Sequence, residues 1–126
     1  MSLKSCSRKL SLGMLLLLSV GCGSPECVDT VLMECPSPAN SIVAVVFERD
    51  CGATTAKNIQ ICFRKAEETF DTKKECSFVI FESEALPKLE WRGSNKLIVI
   101  FPAERKIFRQ ETIDSKIAIE YADSSR

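Results

Sequence analysis

The chain has 126 residues, 17 lysines and arginines against 17 aspartates and glutamates, seven cysteines and no histidine. That length holds one domain, and a balanced charge lacks the basic surplus that marks a nucleic-acid binder. The missing histidine removes the usual base of a nucleophilic thiol or hydroxyl and the usual zinc patterns.

In chain order, residues 1–21 come first. Lys4, Arg8 and Lys9 surround the start of an uncharged run from Leu10 to Gly21 centred on Leu15 to Leu18. The run is shorter than the about 20 apolar residues a spanning helix needs. A basic flank, an apolar middle and a small residue at the end form a secretory signal. Its last residues, LSVGC (Leu18 to Cys22), resemble the lipobox of bacterial lipoproteins, with Ser19 where leucine is commonest. The resemblance implies a lipoprotein signal peptide over 1–21, cleavage before Cys22, a diacylglyceryl group on the Cys22 sulfur, and an acyl chain such as palmitate on the new amino group. Two or three acyl chains anchor stably, at about 0.8 kcal/mol per buried methylene, where one is marginal. Gly23 stands where an aspartate would resemble an inner-membrane retention signal. The expected location is therefore the outer membrane, lipid-anchored and facing the periplasm, with the outer leaflet of the inner membrane as the alternative. Loss of 1–21 removes three cations and no anion, leaving a formal charge of about −3 and no polybasic segment for anionic lipid.

After the lipidated cysteine and a short tether (22–26), one β domain is expected over 27–122. Pro36, Ser37 and Pro38 break the chain before the first strong strand. SIVAVVFER (Ser41 to Arg49) is nearly continuous in apolar, β-branched residues, the pattern of a strand buried on both faces. NIQICFRK (Asn58 to Lys65) alternates, with Ile59, Ile61 and Phe63 on one face and Gln60, Cys62 and Arg64 on the other. Arg64 to Lys74 is rich in helix formers but reads as a solvated connector. CSFVIFE (Cys76 to Glu82) and KLIVIFP (Lys96 to Pro102) are again buried runs, the second with Leu97, Val99 and Phe101 opposite Ile98 and Ile100. Gly93, Ser94 and Asn95 turn a hairpin between Trp91 and Leu97. Lys106 to Gln110 and Ser115 to Tyr121 complete the series, and 123–126 is expected to fray. Six to seven short strands at this spacing predict an all-β fold: a small antiparallel β-sandwich or barrel-like domain, stabilised by disulfides.

Cys6 leaves with the signal and Cys22 takes the lipid, so five cysteines enter an oxidising compartment. The preferred bond is Cys27 with Cys51, which would tie the start of the domain to the turn after its first long strand. Such a loop constrains the unfolded chain by roughly 3 kcal/mol. Cys62 with Cys76, on consecutive strands, is the second choice. Cys35 is then the odd thiol. A four-thiolate metal site from these cysteines lacks the close ligand spacing that marks one, so no metal and no other cofactor is expected.

CVDTVLMECPSPANSIVAVVFERDCGATT, with the later LEWRGSNKLIVIFP and IAIEY, is similar to a family of small exported bacterial proteins of no assigned function. They carry a cysteine, an SP turn, an AVVFERDCGATT-like strand and turn, a tryptophan strand and a closing strand ending in tyrosine. The resemblance implies that Cys27 and Cys51 are that family's paired cysteines. Two departures stand out: RKAEETFDTKKE replaces a longer glycine-rich stretch, and Cys35, Cys62 and Cys76 are additions. SPxxxxVAVVF also resembles the opening strand of a β-propeller blade, but one copy cannot make a propeller.

FERDCGATT (Phe47 to Thr55) crowds carboxylates, a guanidinium, a thiol and hydroxyls into nine positions. Arg49 would lower a thiol pKa, but Glu48 and Asp50 oppose it. Glu48 and Asp50 share a strand face without any sign of a substrate groove. A structural role accounts for more of these residues: Cys51 as a half-cystine, Asp50, Thr54 and Thr55 bonding the turn backbone, and Gly52 permitting positive φ. Catalytic residues are therefore not expected. The candidate partner-binding residues are Gly52, Ala53, Thr54 and Thr55 at the locked turn, and Trp91 and Arg92 beside the Gly93 turn. Trp91 equally suits a core position with its ring N–H satisfied. The expected role is a membrane-anchored binding or accessory module for an envelope protein. The alternative is an inhibitor or exclusion lipoprotein acting against an incoming hydrolase or particle. An inhibitor of the lysozyme-blocking type should present a protruding loop with a serine or basic residue aimed at an acidic cleft.

Overall fold

A computed structural model describes residues 6–8, 27–52 and 56–124. These form ten strands and no helix: β1 Ser7–Arg8, β2 Val28–Pro36, β3 Ile42–Asp50, β4 Asn58–Lys65, β5 Val79–Glu82, β6 Lys88–Trp91, β7 Lys96–Phe101, β8 Lys106–Gln110, β9 Ile113–Asp114 and β10 Ile117–Asp123. They lie in two sheets, one ordered β1-β2-β3-β4-β5-β8 and the other β6-β7-β10-β9. The expected all-β class holds, with three disulfides.

The inward faces follow the alternation of the sequence. Ala44 and Val46 of β3, Ile59 and Ile61 of β4, and Val79 and Phe81 of β5 meet Leu97, Val99 and Phe101 of β7 and Ile117 and Ile119 of β10 in one apolar core. Phe81 and Phe101 pack edge to face across it, their centroids 5.1 Å apart. Tyr121 stacks on Phe101 at 5.4 Å and donates its hydroxyl to the Glu111 carbonyl at 2.5 Å. Burial of that phenol pushes its pKa up to about 12.

The outward face of β3 is buried as well: Val43, Val45 and Phe47 are all 6 % exposed or less. Its cover is the segment between β4 and β5, where a solvated connector was expected. Phe70 from this strap packs against Phe47 at 5.4 Å. Cys76 is bonded to Cys62, Ser77 donates to Gln60 at 2.7 Å, and Arg49 donates to the Thr72 carbonyl at 2.9 Å. Most charged side chains of the strap remain exposed. One aromatic ring and these ties account for its position.

Other differences from expectation have local causes. β2 lies in the stretch read as preceding the first strong strand. A register shift between Val31 and Met33 breaks its alternation, so no period of two is visible. The β2–β3 connection turns through Asn40, at φ 57°, with the Ser37 amide bonded to the Ile42 carbonyl at 2.8 Å. β7 and β10 run parallel, joined by the long crossover such a pair requires; the crossover includes β8, on the opposite sheet. Of the tail expected to fray, 123–126, Asp123 and Ser124 continue this pairing. Asp123 lies opposite Phe101 and is bonded by Arg105, and the Ser124 amide donates to the Phe101 carbonyl at 2.9 Å. Cys35 is not an odd thiol in the intact chain: it is bonded to Cys6, and the adjoining β1 pairs with β2 through Ser7 opposite Glu34 and Arg8 opposite Met33. The rest of the expected signal, Cys22 and the tether lie outside the described residues, as do 53–55 and 125–126.

Candidate functional site

FERDCGATT occupies the last part of β3 and the turn beyond it. Strand alternation sends Phe47 and Arg49 outward under the strap and puts Glu48 and Asp50 on the opposite face. Arg49 makes a two-pronged pair with Asp29 directly across on β2, Nε to Oδ1 at 2.8 Å and Nη2 to Oδ2 at 3.0 Å. The hydrogen bonds from Arg49 hold the Asp29 carboxyl below its ordinary value, and Asp29 in turn raises that of Arg49. Arg49 thus binds three elements together: its own strand, β2 and the strap.

On the other face, Lys57 lies 3.9 Å from a carboxylate oxygen of Glu48 and of Asp50. The second Asp50 oxygen accepts the Gly52 amide at 3.0 Å, an Asx turn that Gly52 completes at φ 111°, where a side chain would be strained. Cys51 is bonded to Cys27. The guanidinium, the second carboxylate and the thiol of the motif are each committed to holding the strand end. Ala53, Thr54 and Thr55 lie outside the described residues.

Both cysteine pairs singled out from the sequence are joined, Cys27 to Cys51 and Cys62 to Cys76. The second candidate patch divides. Trp91 is half-buried, its ring N–H donates to the Cys35 carbonyl at 3.0 Å, and its ring lies 5.7 Å from that of Phe63. Arg92 is exposed at the turn, where Gly93 takes φ 69°.

Two open clefts adjoin these features. One, of about 750 Å³, runs beneath the strap beside the Arg64–Glu34 pair and Phe70. The other, of about 880 Å³, lies at the end of the sandwich holding Glu48 and Lys57, where Glu82, Glu84, Glu104, Arg105 and Lys106 mix both signs of charge. Among the described residues no group of three or more acids and cysteines is placed to hold a metal ion, and no buried side-chain polar atom lacks a partner.

Two surface features carried no signal that singled them out. β8, on the edge of its sheet, is exposed along its length, and Phe108 and the nearby Ile113 are 54 % and 69 % exposed. β9 and β10 form a hairpin with Asp114 opposite Ile117 and only Ser115 and Lys116 at its tip, at φ 50° and 67°. That is the two-residue turn usually built from Asn-Gly, here carrying a hydroxyl and a cation. Burial raises the pKa of Asp114 at its base.

No family model, curated protein or solved structure matches the chain.

Proposed function

We propose that this chain is a lipid-anchored envelope protein, held through Cys22 in the outer membrane and facing the periplasm, whose β domain works by contact with another protein and not by catalysis. The observation that carries the reading is the commitment of the FERDCGATT groups to structure: Arg49 to Asp29 and Thr72, Asp50 to Gly52 and Lys57, and Cys51 to Cys27. The LSVGC sequence supports the anchor. The exposed Phe108 and Ile113 beside an edge strand, with Arg92 elsewhere, supply surface for a partner. Crosslinking in intact cells followed by identification of the captured protein tests the contact: one reproducible partner, lost on Phe108→Ala or Arg92→Ala, is expected. Capture of none, or capture unchanged by either substitution, overturns it. Cys22→Ala should abolish both cleavage before residue 22 and incorporation of a labelled fatty acid into the protein. Normal cleavage with the label still incorporated would remove the anchor from the proposal.

A second reading, an inhibitor or exclusion factor against an incoming hydrolase, draws on the Ser115–Lys116 tip. A serine and a cation project there on a two-residue turn held in the left-handed region, the kind of feature that enters an acidic cleft. Its test is inhibition of a lysozyme-type hydrolase by the mature protein, with loss on Lys116→Glu. Absence of inhibition by the unsubstituted protein discards this reading and leaves the first standing.

A further inference from the structure

The register decides which turns share an end of the sandwich. Val28 at the start of β2 lies opposite Asp50, Asn58 at the start of β4 opposite Arg49, and Phe81 near the end of β5 opposite Ile59. Lys106 at the start of β8 lies opposite Glu82 at the end of β5, so the short links from β5 to β6 and from β7 to β8 stand at this end too. It is the end where Cys27 and Cys51 are joined. The β6–β7 turn around Gly93 and the β9–β10 turn at Ser115 and Lys116 therefore stand at the other end, since β10 runs parallel to β7. The nine residues of β2 separate the two ends by about 30 Å.

The two distal turns make one surface. Ala118 of β10 lies opposite Lys96 of β7, and its amide donates to the Asn95 carbonyl at 2.9 Å. Lys116 is thus level with Ser94. Arg92 stands across the hairpin, its amide donating to the Lys96 carbonyl at 2.9 Å. Two strand spacings, about 10 Å, separate the Arg92 and Lys116 backbones. Both residues are exposed, and among the described residues neither forms an ion pair. Glu111 and Glu120 are taken by Arg109 and Lys96, and Asp114 accepts the Ser115 hydroxyl at 3.3 Å. Ile113, opposite Ala118 on β9 and 69 % exposed, adds an apolar side chain to the rim. Lys116 also sits at φ 67°, where glycine would bear no strain.

We propose that these two turns form one site for an acidic protein surface, with Arg92 and Lys116 each receiving a carboxylate of the partner and Ile113 packing beside them. This deepens the proposed contact with an envelope protein and rests on it. Arg92 offers a fork for one carboxylate and Lys116 a point charge for another. An anionic bilayer fits less well. The tether 22–26 reaches at most about 18 Å and leads from the opposite end of the domain, and two cations fall short of the about four to eight of a lipid-binding cluster.

The test places the photo-crosslinker benzoylphenylalanine at Ser94, between the two cations, or at Ala103 in the β7–β8 link, in the full chain in intact cells. Capture of one protein from Ser94 and not from Ala103 is expected, through a peptide carrying aspartate or glutamate. Arg92→Glu or Lys116→Glu should lower the yield at least about tenfold. Exchange of the mapped acid for lysine should lower it as well, and should restore it when combined with Lys116→Glu. Lys116→Gly suits the turn, so the loss of capture expected there does not come from unfolding. Capture as strong from Ala103, or capture indifferent to both charge reversals, overturns this site and leaves the protein contact standing. Capture of lipid alone from Ser94 also overturns the site. Capture of no protein from either position, nor by general crosslinking of the unsubstituted chain, overturns the site together with the proposed function.

Discussion

The two faces of β3, in the six-stranded sheet, are both covered, but by unlike partners. Inside, Ala44, Val46, Ile61 and Phe81 meet a second sheet of the same apolar character, and stabilisation follows the area removed from water. Outside, Val43, Val45 and Phe47 lie beneath a polar strap whose ring contact comes from Phe70. There the ties do more: a disulfide at Cys62–Cys76 and the Asp29–Arg49–Thr72 bridge hold a segment that its own composition would leave in solvent. An apolar strand face can thus be closed without a third layer of secondary structure, provided the cover is tethered.

This contrast predicts a graded response. Phe81→Ala should cost about 3–5 kcal/mol, whereas Phe47→Ala should fall near or below 3 kcal/mol because the strap can settle into the space. Urea denaturation of the oxidised domain measures both, and equal losses would erase the distinction. Replacing Cys62 and Cys76 together by serine should cost about 3 kcal/mol, the chain-entropy value for a loop of that size. It should also admit protease cleavage within 66–75 while the inner core persists. Cleavage no faster than in the unsubstituted protein would mean the disulfide is not what holds the strap.

Arg49→Ala should cost about 1–2 kcal/mol, since its charged hydrogen bonds are only partly shielded. The same pair sets a pH dependence. Asp29 has a folded pKa below its ordinary 3.8, so its contribution is complete above that value and disappears as pH falls through the depressed one. A melt between pH 5 and 2 should show this loss, and Asp29→Asn should remove that part of the slope. The smallest effect concerns the hairpin tip. Lys116→Gly should stabilise by about 1 kcal/mol, because glycine adopts positive φ without the cost lysine bears. A destabilised variant would mean that the lysine side chain offsets its own strain.

Legibility in the sequence follows the same division. The inner face was readable because each of its residues reports its own burial: Ile59 and Ile61, then Leu97, Val99 and Phe101, alternate as the pleat requires. β2 was not, because Asp29 and Glu34 look like solvent-facing residues until Arg49 and Arg64 are placed beside them from other strands. The strap was hidden for a similar reason, since Phe70 alone among Glu67, Glu68, Asp71, Lys73 and Lys74 makes no pattern. At FERDCGATT the local uses of Asp50, Cys51 and Gly52 could be read in advance. The Arg49 partner could not, being set by the β2–β3 register across a bulge. Apolar side chains on β8 could be read as strand residues, but not as exposed ones, because that depends on what covers the two sheet faces at β8.

The parallel pairing of β7 with β10 has a consequence for the order of assembly. β10 is not an edge of its sheet but lies between β7 and β9, and it delivers Ile117 and Ile119 to the core. A nascent chain emerging from its N-terminus can pair β2, β3 and β4, and then β6 and β7, as successive hairpins, yet the second sheet lacks its central β10 until that strand arrives. High sequence separation between such contacts slows folding. The second sheet therefore stays incomplete until β10 is made.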